Sequence, residues 1–332
     1  MIKRISLKKI SICIIALISI FLFNFFSNNE LKINKTLEYK ENISSTIFLL
    51  DENNYLAKTS INLDDKSIKL KAKKLLLALI NDEKYQDIIP NGFKSIIPSN
   101  TKILNIYYKD NVIKVDFSSD LLNVDKQFEE KIIEDIVYTL TSIKEIKYVI
   151  IYVNGEILTK LPKSNIILPA TLDRNFGINK EYNINSDKDI VKTTVYYINK
   201  YNDNYYYVPV TKINNSNKQK AEIIIDELKH NNIYNSHLMS FLNNNVQITN
   251  LEYTDKILTL ELNDKILNND TNTIPDEVID TICLSLNDNY DINEILIKVD
   301  NKEILDLFNI KEIKRDEVTL KPYLIKHYHN KK

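Results

Sequence analysis

The sequence YYKDNVIKVDFSSDLLN at residues 107–123 is matched by EYTDKILTLELNDKILN at residues 252–268, with nearly the same order of apolar and polar residues. Asp110 and Asp255 hold the same place in the two segments, so the spacing is 255 − 110 = 145 residues. This spacing is the size of a domain and much longer than a solenoid repeat. The sequence therefore predicts two related domains in tandem.

Each segment is predicted to form two strands joined by a short turn. In the first copy the turn falls on Asp110 and Asn111, residue types that tolerate a positive φ. Alternation along the second strand places three apolar residues of each copy on one face, namely Ile113, Val115 and Phe117, and later Leu258, Leu260 and Leu262. Because only one face is apolar, we expect helices to cover a single face of each sheet.

The helices that follow the two hairpins extend the repeat. At a constant offset of 146, every apolar position of the first helix has an apolar counterpart in the second. The pairs are Phe128 with Ile274, Ile132 with Val278, Ile133 with Ile279, Ile136 with Ile282, Val137 with Cys283, and Leu140 with Leu286. The change of offset from 145 to 146 needs one inserted loop residue, which loops tolerate.

Other segments complete both copies. The first begins with predicted strands at 43–51 and 54–63 and an amphipathic helix at 66–80. The second begins with a hairpin at 193–210 and a helix that carries Ala221, Ile224, Ile225 and Leu228. Final strands are predicted at 146–155 and 292–301. Each unit therefore has the order β-β-α-β-β-α-β, and the predicted class is α+β.

The same patterns divide the chain into six segments. They are an N-terminal signal anchor at 1–30, a juxtamembrane linker at 31–42, a first domain at 43–162, a connector at 163–191, a second domain at 192–308 and a charged tail at 309–332.

The N-terminal segment is predicted to be a membrane anchor. Ile10 to Phe26 is uncharged and follows a cluster of basic residues, so the short N-terminus should remain cytoplasmic and the domains should lie outside. A cleaved signal peptide is the alternative, but the following SNNELK lacks a small-x-small cleavage site. Cys13 does not indicate a bacterial lipoprotein. A lipid-accepting cysteine follows the apolar stretch, whereas Cys13 lies within it.

Composition excludes several classes of function. The formal net charge of −1 provides no basic field for nucleic acid. Only three glycines are present, and neither a phosphate loop nor a G-x-S-x-G nucleophile motif can be assembled from them. HExxH and CxxC are absent, so no sequence-local zinc motif exists. We therefore predict no catalytic residues, cofactor, metal or small-molecule substrate.

Residues that could carry chemistry have simpler structural interpretations. Cys283 takes the place of Val137 in an apolar helix stripe, which favours core packing. The carboxylate pairs Asp116 with Asp120 and Glu261 with Asp264 lie on solvent-facing strand positions and exit loops. The histidines are expected to be exposed; they are His230, His237, His327 and His329.

Tyrosines crowd the hairpin that opens the second copy. Alternation places rings on both of its faces, so one face could pack on the core while the other offers an interaction surface. The candidate surface residues are Tyr201, Tyr205, Tyr206 and Tyr207. Shielding of the hairpin's own apolar side explains the same pattern equally well.

These segments together resemble a GerM-type sporulation protein built from two GerMN domains. The resemblance rests on YYYVPVTKINNSNKQKAEIIIDEL at 205–228, IIPSNTKILNIYYKDNVIKVDFSSDLLN at 96–123 and IVYTLTSIKEIKYVIIYVNGE at 136–156. The second copy departs from it with FLNNN in place of IPSNT, CLSL in place of YTLT, and a register shift near Thr249 and Asn250 that indicates a bulge.

The resemblance implies a non-enzymatic extracytoplasmic protein of endospore formers, similar in fold to ring-building modules of the channel between mother cell and forespore. Its expected partners are envelope and sporulation channel proteins, contacted through an uncovered sheet face or a strand edge. A module that binds peptidoglycan or polysaccharide is the alternative, with tyrosines stacking on sugars.

Overall fold

The computed structural model describes residues 44–63, 65–229 and 236–300, and the backbone of two short strands at 302–303 and 313–314. All of them belong to one compact unit, Ile43–Lys332. Among the described residues, no helix is both long and apolar enough to cross a bilayer. The predicted anchor at 10–26, the linker at 31–42 and most of the predicted tail lie outside the described residues.

The first module contains the predicted hairpins and helices. Its elements are β1 (Ser44–Asp51), β2 (Leu56–Asn62), α1 (Ile68–Leu79), α2 (Glu83–Gln86), β3 (Phe93–Lys94), β4 (Ile103–Lys109), β5 (Val112–Phe117), α3 (Lys126–Leu140), β6 (Tyr148–Val153) and β7 (Glu156–Ile157). The Ser67 side chain caps α1 by accepting a hydrogen bond from the Leu70 N–H. The apolar stripe of α1 is buried, as its periodicity predicts.

The connector and the second module follow in the same order. They comprise β8 (Glu181–Asn183), β9 (Ile190–Tyr201), β10 (Asn204–Asn215), α4 (Lys220–Lys229), β11 (Ile248–Thr254), β12 (Ile257–Leu262), α5 (Asp276–Asn289), β13 (Glu294–Val299), β14 (Lys302–Glu303) and β15 (Ile313–Lys314). The α+β class and the internal repeat are confirmed.

The strands form three sheets. Each module has a small sheet, ordered β4-β5-β6-β7 in the first and β11-β12-β13-β14 in the second, where β15 also pairs with β13. The hairpin that opens each module joins a shared central sheet, ordered β3-β1-β2-β10-β8, with β9 paired to β10. The two modules are thus connected by backbone pairing as well as by the connector.

The shared sheet corrects one prediction. We expected each module to have helices on a single face of its sheet, and this holds for the small sheets. In the central sheet, consecutive residues such as Ile47, Phe48 and Leu49 are all buried, so both faces are covered. Continuous burial along β1 arises because the hairpin lies between the two modules instead of at the surface of one.

The repeated hairpins have the predicted turns. Asp110 and Asn111 have φ of 50° and 64°, and Asp255 and Lys256 have φ of 52° and 65°. Two successive residues with positive φ form the turn whose twist suits a two-residue hairpin. The inward residues of β5 and β12 are fully buried, namely Ile113, Val115, Phe117, Leu258, Leu260 and Leu262.

A bulge interrupts both small sheets at equivalent places. The β4–β5 register shifts between Ile103 and Asn105, and the β11–β12 register shifts between Ile248 and Asn250. The sequence comparison assigned a bulge to the second copy alone and took it as a departure from the repeat. The bulge predicted near Thr249 and Asn250 is confirmed, and its equivalent in the first copy shows that it is part of the repeated fold.

A helix hydroxyl accepts a backbone N–H from the first strand of the opening hairpin in each module. Thr139 Oγ1 on α3 accepts the Phe48 N–H of β1 at 3.0 Å, and Ser285 Oγ on α5 accepts the Tyr196 N–H of β9 at 2.8 Å. A backbone N–H group needs a hydrogen-bond partner when it is buried. Thr139 and Ser285 are separated by the helix offset of 146, so CLSL keeps the functional hydroxyl that the sequence comparison counted as lost.

Replacing the hydroxyl should destabilise the fold. Thr139→Val keeps the side-chain volume but leaves the Phe48 N–H without this partner and removes the Thr139 bond to the buried Asp135 carboxylate. We expect the free energy of unfolding to fall by about 1–3 kcal/mol, measured by urea denaturation. Thr254→Val, at an exposed strand position, is the matched control and should change it by less than about 0.5 kcal/mol. Equal effects of the two substitutions would contradict this role of Thr139.

Candidate functional site: the inter-module joint and the open sheet faces

Strands β2 and β10 pair directly at a single position, where Lys58 faces Tyr207. Beyond this pair a direct ladder cannot continue in the usual way, because Pro209 of β10 has no N–H to donate. The side-chain amide of Asn179 lies between the strands instead. Its Oδ1 accepts the Leu56 N–H at 2.9 Å, and its Nδ2 donates to the carbonyls of Leu56 at 2.9 Å and Pro209 at 2.8 Å.

Asn179 suits this place for a backbone reason as well. Its φ is 47°, in the left-handed region that asparagine tolerates better than most residues. The Asn179 N–H donates to Glu134 Oε2 on α3 at 2.9 Å, and Lys131 Nζ donates to Asn179 Oδ1 at 3.2 Å. One connector residue therefore ties together a helix of the first module and a strand from each module.

Arg174 forms a second tie between the modules. Its Nε donates to Thr141 Oγ1 at 3.1 Å, and its Nη1 donates to Asp288 Oδ1 on α5 at 2.6 Å. The guanidinium carbon lies 4.7 Å from the centre of the Tyr138 ring, a cation–π distance. The Tyr196 hydroxyl donates to the other oxygen of Asp288 at 2.7 Å.

The surroundings of Arg174 favour its charged form. Burial acts to lower the pKa of Arg174, but the Asp288 carboxylate and the neighbouring tyrosines more than offset this and raise it. The Asp288 side chain is only 3% exposed, and its two oxygens accept hydrogen bonds from Arg174 and Tyr196. We call the set Lys58, Asn179, Arg174, Tyr207 and Asp288 the inter-module joint.

Asp51 adds a third link, at the hairpin turn of the first module. Its Oδ2 accepts hydrogen bonds from the Tyr206 hydroxyl at 2.9 Å and from Asn199 Nδ2 at 3.2 Å. Its Oδ1 accepts the N–H groups of Asn53 and Tyr55 in its own turn. Burial and the nearby Asp51 carboxylate raise the pKa of Tyr206, so this phenol remains a donor.

Two of the four candidate tyrosines are buried. Tyr206 and Tyr207 are 5% and 1% exposed, and their hydroxyls donate to Asp51 and Asp280, so neither ring can face a partner. Tyr201 and Tyr205 are half-buried. Tyr201 lies against Gly92, where an added Cβ would come within 2.5 Å of its ring. An interaction surface here stays a prediction for Tyr201 and Tyr205 alone.

The side chains considered above as candidates for catalysis are buried or hydrogen-bonded within the fold. Cys283 is 1% exposed, and burial, with a smaller contribution from Asp280, raises the pKa of its thiol. Asp116 Oδ1 accepts the Gly155 N–H at 3.0 Å, and Asp120 Oδ2 accepts from the Ser118 hydroxyl at 2.8 Å.

No group of three or more His, Cys, Asp or Glu residues in the described part of the chain could hold a metal ion. Of the four histidines, His237 alone is described, at a φ of 57°.

The small sheet of the first module leaves one face uncovered. Cross-strand pairing places three rows of side chains on it, running across β4, β5 and β6 and, in the third row, β7. The rows are Lys109-Val112-Tyr148, Tyr107-Lys114-Ile150 and Asn105-Asp116-Tyr152-Ile157. Leu104, the extra residue of the bulge, is 51% exposed beside them. We call these residues the first open face.

The second module has the equivalent face with different chemistry. Its rows are Thr254-Ile257-Glu294, Glu252-Thr259-Leu296 and Asn250-Glu261-Lys298. We call these residues the second open face. Glu261 is only 8% exposed, so the prediction that this carboxylate faces solvent was wrong. Glutamates replace Tyr107 and Tyr148, and Lys298 replaces Tyr152, so this face is mainly polar. Sequence alternation marks these positions as outward, but tyrosine density alone draws attention to the hairpin at 193–210 instead of this sheet.

The Germane family model, described as "Sporulation and spore germination", matches residues 46–159 and 194–305. One match falls on each module, and together they span more than half of the chain. The chain belongs to the Germane family.

Two relatives extend this assignment of the Germane chain. It is 30% identical over 282 residues to "Spore germination protein GerM" of Bacillus subtilis strain 168, covering 83% of this chain and 76% of that protein. The solved "Tandem GerMN domains of the sporulation protein GerM from Bacillus subtilis" superpose with a TM-score of 0.71 and 28% identity, covering 78% of this chain and 92% of that one. The predicted GerM-type resemblance is confirmed.

Removing the ion pair between Arg174 and Asp288 of this Germane chain should lower its free energy of unfolding. Arg174→Met leaves the buried Asp288 carboxylate without its cation, and we expect a loss of about 3–5 kcal/mol in the free energy of unfolding. Asp288→Asn and the double variant complete a double-mutant cycle, measured by urea denaturation, in which we expect non-additivity above about 0.5 kcal/mol. Lys200→Met is the control, because its pair with Asp203 is exposed and should contribute about 0–1 kcal/mol. Strict additivity would contradict the proposed coupling.

The carboxyl of Glu134 should make stability depend on pH. Burial raises the pKa of Glu134 to about 7, although Lys180, the Asn179 N–H and Lys131 oppose the shift. The folded state therefore holds a proton that the unfolded chain has released. Stability attributable to this group falls as pH rises from the unfolded value, 4.5, to about 7, with a slope of at most about 1.4 kcal/mol per pH unit.

Glu134→Gln should remove this dependence, since glutamine keeps an oxygen acceptor for the Asn179 N–H and does not titrate. We expect the stability of the variant relative to the wild type to rise between pH 4.5 and pH 7 and then level off. Urea denaturation at several pH values measures it, with Glu83→Gln at an exposed position as the control. A constant difference across this range would show that Glu134 is ionised throughout.

Proposed function

We propose that this Germane chain is a non-enzymatic protein of endospore formation or germination that docks envelope assembly proteins, such as channel proteins between mother cell and forespore. It acts outside the cytoplasmic membrane, tethered through residues 10–26. The support for sporulation and germination is family membership, and the support for docking is the architecture of the described modules.

The observation that carries the proposal is the pair of uncovered sheet faces. Each module buries the inner side of its small sheet under helices and leaves the outer side open, with Tyr107 and Leu104 each 51% exposed on the first. Large exposed apolar side chains grouped on one face are a feature of protein interaction sites. The inter-module joint holds the modules together, which suits a protein that positions several partners.

The engagement of reactive groups in the fold also supports a non-enzymatic role. Burial raises the pKa of the Cys283 thiol and so disfavours the nucleophilic thiolate. The buried Glu129 carboxylate caps a turn by accepting the N–H groups of Lys163 and Ser164. The carboxylates of Asp51, Glu134 and Asp288 likewise accept hydrogen bonds within the fold.

Binding to peptidoglycan or polysaccharide is the second candidate, because exposed tyrosine rings on a flat sheet could stack on sugars. Tyr107 and Tyr148 are 51% and 42% exposed. The aliphatic residues between and beside them favour a protein partner, since Val112, Ile150 and Ile157 cannot provide the hydrogen bonds that sugar hydroxyls need.

Site-specific crosslinking in sporulating cells tests the proposal. A photoreactive residue replaces Tyr107 on the first open face in one strain and Thr254 on the second open face in another. A third strain carries it at Tyr182, which is 64% exposed but lies on β8, outside both faces. We expect crosslinks to envelope assembly proteins from the open-face positions and none from Tyr182.

Wholly monomeric products at both faces, or identical products from all three positions, would contradict docking. In parallel, an in-frame deletion should lower heat-resistant spore counts or slow germination, and normal values for both would contradict the role in sporulation or germination. Retention of the purified chain on isolated sacculi, abolished by Tyr107→Ala with Tyr148→Ala, would favour the polysaccharide candidate instead.

A further inference from the structure

Because the two modules share one fold, equivalent positions on the surfaces of their small sheets can be compared directly. The inner rows of the two small sheets are equivalent and fully apolar where they meet the core, with Val115 matched by Leu260 and Phe117 matched by Leu262. The outer rows differ at equivalent positions. Tyr107 and Tyr148 of the first open face correspond to Glu252 and Glu294 of the second.

Folding alone does not require the apolar residues of the first open face. The second module forms the same strands, hairpin turn and bulge with glutamates at two of these positions and Lys298 in place of Tyr152. Exposed tyrosines and aliphatic residues leave apolar area in water that burial by a partner would remove, worth about 25 cal/mol for each Å². The chemistry of the first open face is therefore best explained by a partner.

The charged residues of the first open face indicate the charge of the residues beside the partner's apolar surface. Lys109 and Lys114 extend from its rows, and Lys114 Nζ lies 6.0 Å from the centre of the Tyr107 ring. Asp116, the acidic residue of these rows, already accepts the Gly155 N–H. The positive charges therefore favour acidic residues on the partner.

The arrangement of helices around the first small sheet indicates that the partner contributes a helix. The inner side of this sheet packs against helices of its own module, and a sheet with helices on both sides is a stable arrangement. An amphipathic helix presents apolar residues at i, i+3, i+4 and i+7, which forms a stripe that can lie across the rows of the first open face. Acidic residues beside that stripe would lie near Lys109 and Lys114.

We propose that the first open face binds an amphipathic helix of a partner protein whose apolar stripe is flanked by Asp and Glu. This inference rests on the proposed docking function and specifies one of its surfaces and the chemistry of its partner. The second open face, with Glu252 and Glu294 at the positions of Tyr107 and Tyr148, does not bind such a helix.

The test uses the full-length chain in nanodiscs of neutral lipid and a designed helical peptide of about 18 residues. The peptide carries a leucine stripe flanked by glutamates, a photoreactive leucine in the stripe, and a fluorophore. Its counterpart has lysines in place of the glutamates. We expect the acidic peptide to bind more tightly than the basic one, to weaken with added salt, and to crosslink to residues 104–116 and 148–157.

Variants that exchange residues between the two faces make the test specific. Y107E/Y148E introduces the residues that the second module carries at the same positions and should weaken binding by about tenfold or more, with an unchanged denaturation midpoint. K109T/K114T, designed in the same way, should weaken it severalfold and reduce the salt dependence. The reciprocal E252Y/E294Y should create new crosslinks on the second module.

Several outcomes would overturn the inference. These are equal binding of the acidic and basic peptides, equal loss of binding in the control E252Q/E294Q, and crosslinks outside the first open face. Self-association abolished by Y107E/Y148E would identify a second copy as the occupant, and binding of added anionic vesicles in place of the peptide would identify a lipid surface.

Spore counts separate this inference from the proposed function. If deletion of the gene leaves sporulation and germination normal, the proposed function fails, whatever the face binds. If the deletion is defective and a strain with Y107E/Y148E performs as the wild type does, the inference about this face fails while the proposed function remains.

Discussion

The structure depends on the place where the strands of two duplicated modules meet without a complete ladder. β2 and β10 pair at Lys58 and Tyr207. Two residues further along, the amide of Asn179 accepts one N–H and donates to two carbonyls. A primary amide is the side chain that can replace a peptide group in both roles. The central sheet, and with it the burial of both hairpins, is continuous because a connector residue fills this gap.

The joint also explains why tyrosines concentrate in the second hairpin. A phenol can bury a large apolar ring and still satisfy a carboxylate at its tip, so it suits a surface where two apolar cores meet beside charged residues. Tyr196, Tyr206 and Tyr207 donate to Asp288, Asp51 and Asp280 respectively. Ala57 of β2 packs in the core of the second module, which shows how closely the two cores approach.

The two modules share their interior features but differ in the residues on the outer faces of their small sheets. Both copies keep the helix hydroxyl that accepts a strand N–H, the bulge and the positive-φ turn. A hydrogen bond from a tyrosine is also repeated. The Tyr108 hydroxyl donates to the Glu145 carbonyl, and the Tyr253 hydroxyl donates to the Asp291 carbonyl. The outer rows of the small sheets are not matched in this way, since Tyr107 and Tyr148 of one face correspond to Glu252 and Glu294 of the other.

The sequence alone determined the tandem repeat, the strand and helix order, the turns and the core positions, because periodicity and positive-φ residue types are local properties of the chain. Placing Cys283 in the core also needed no coordinates. Tertiary structure decided the sharing of the central sheet, the roles of Asn179 and Arg174, and the burial of Tyr206 and Tyr207. Those features depend on contacts between residues more than a hundred positions apart, such as Arg174 with Asp288, which no local pattern records.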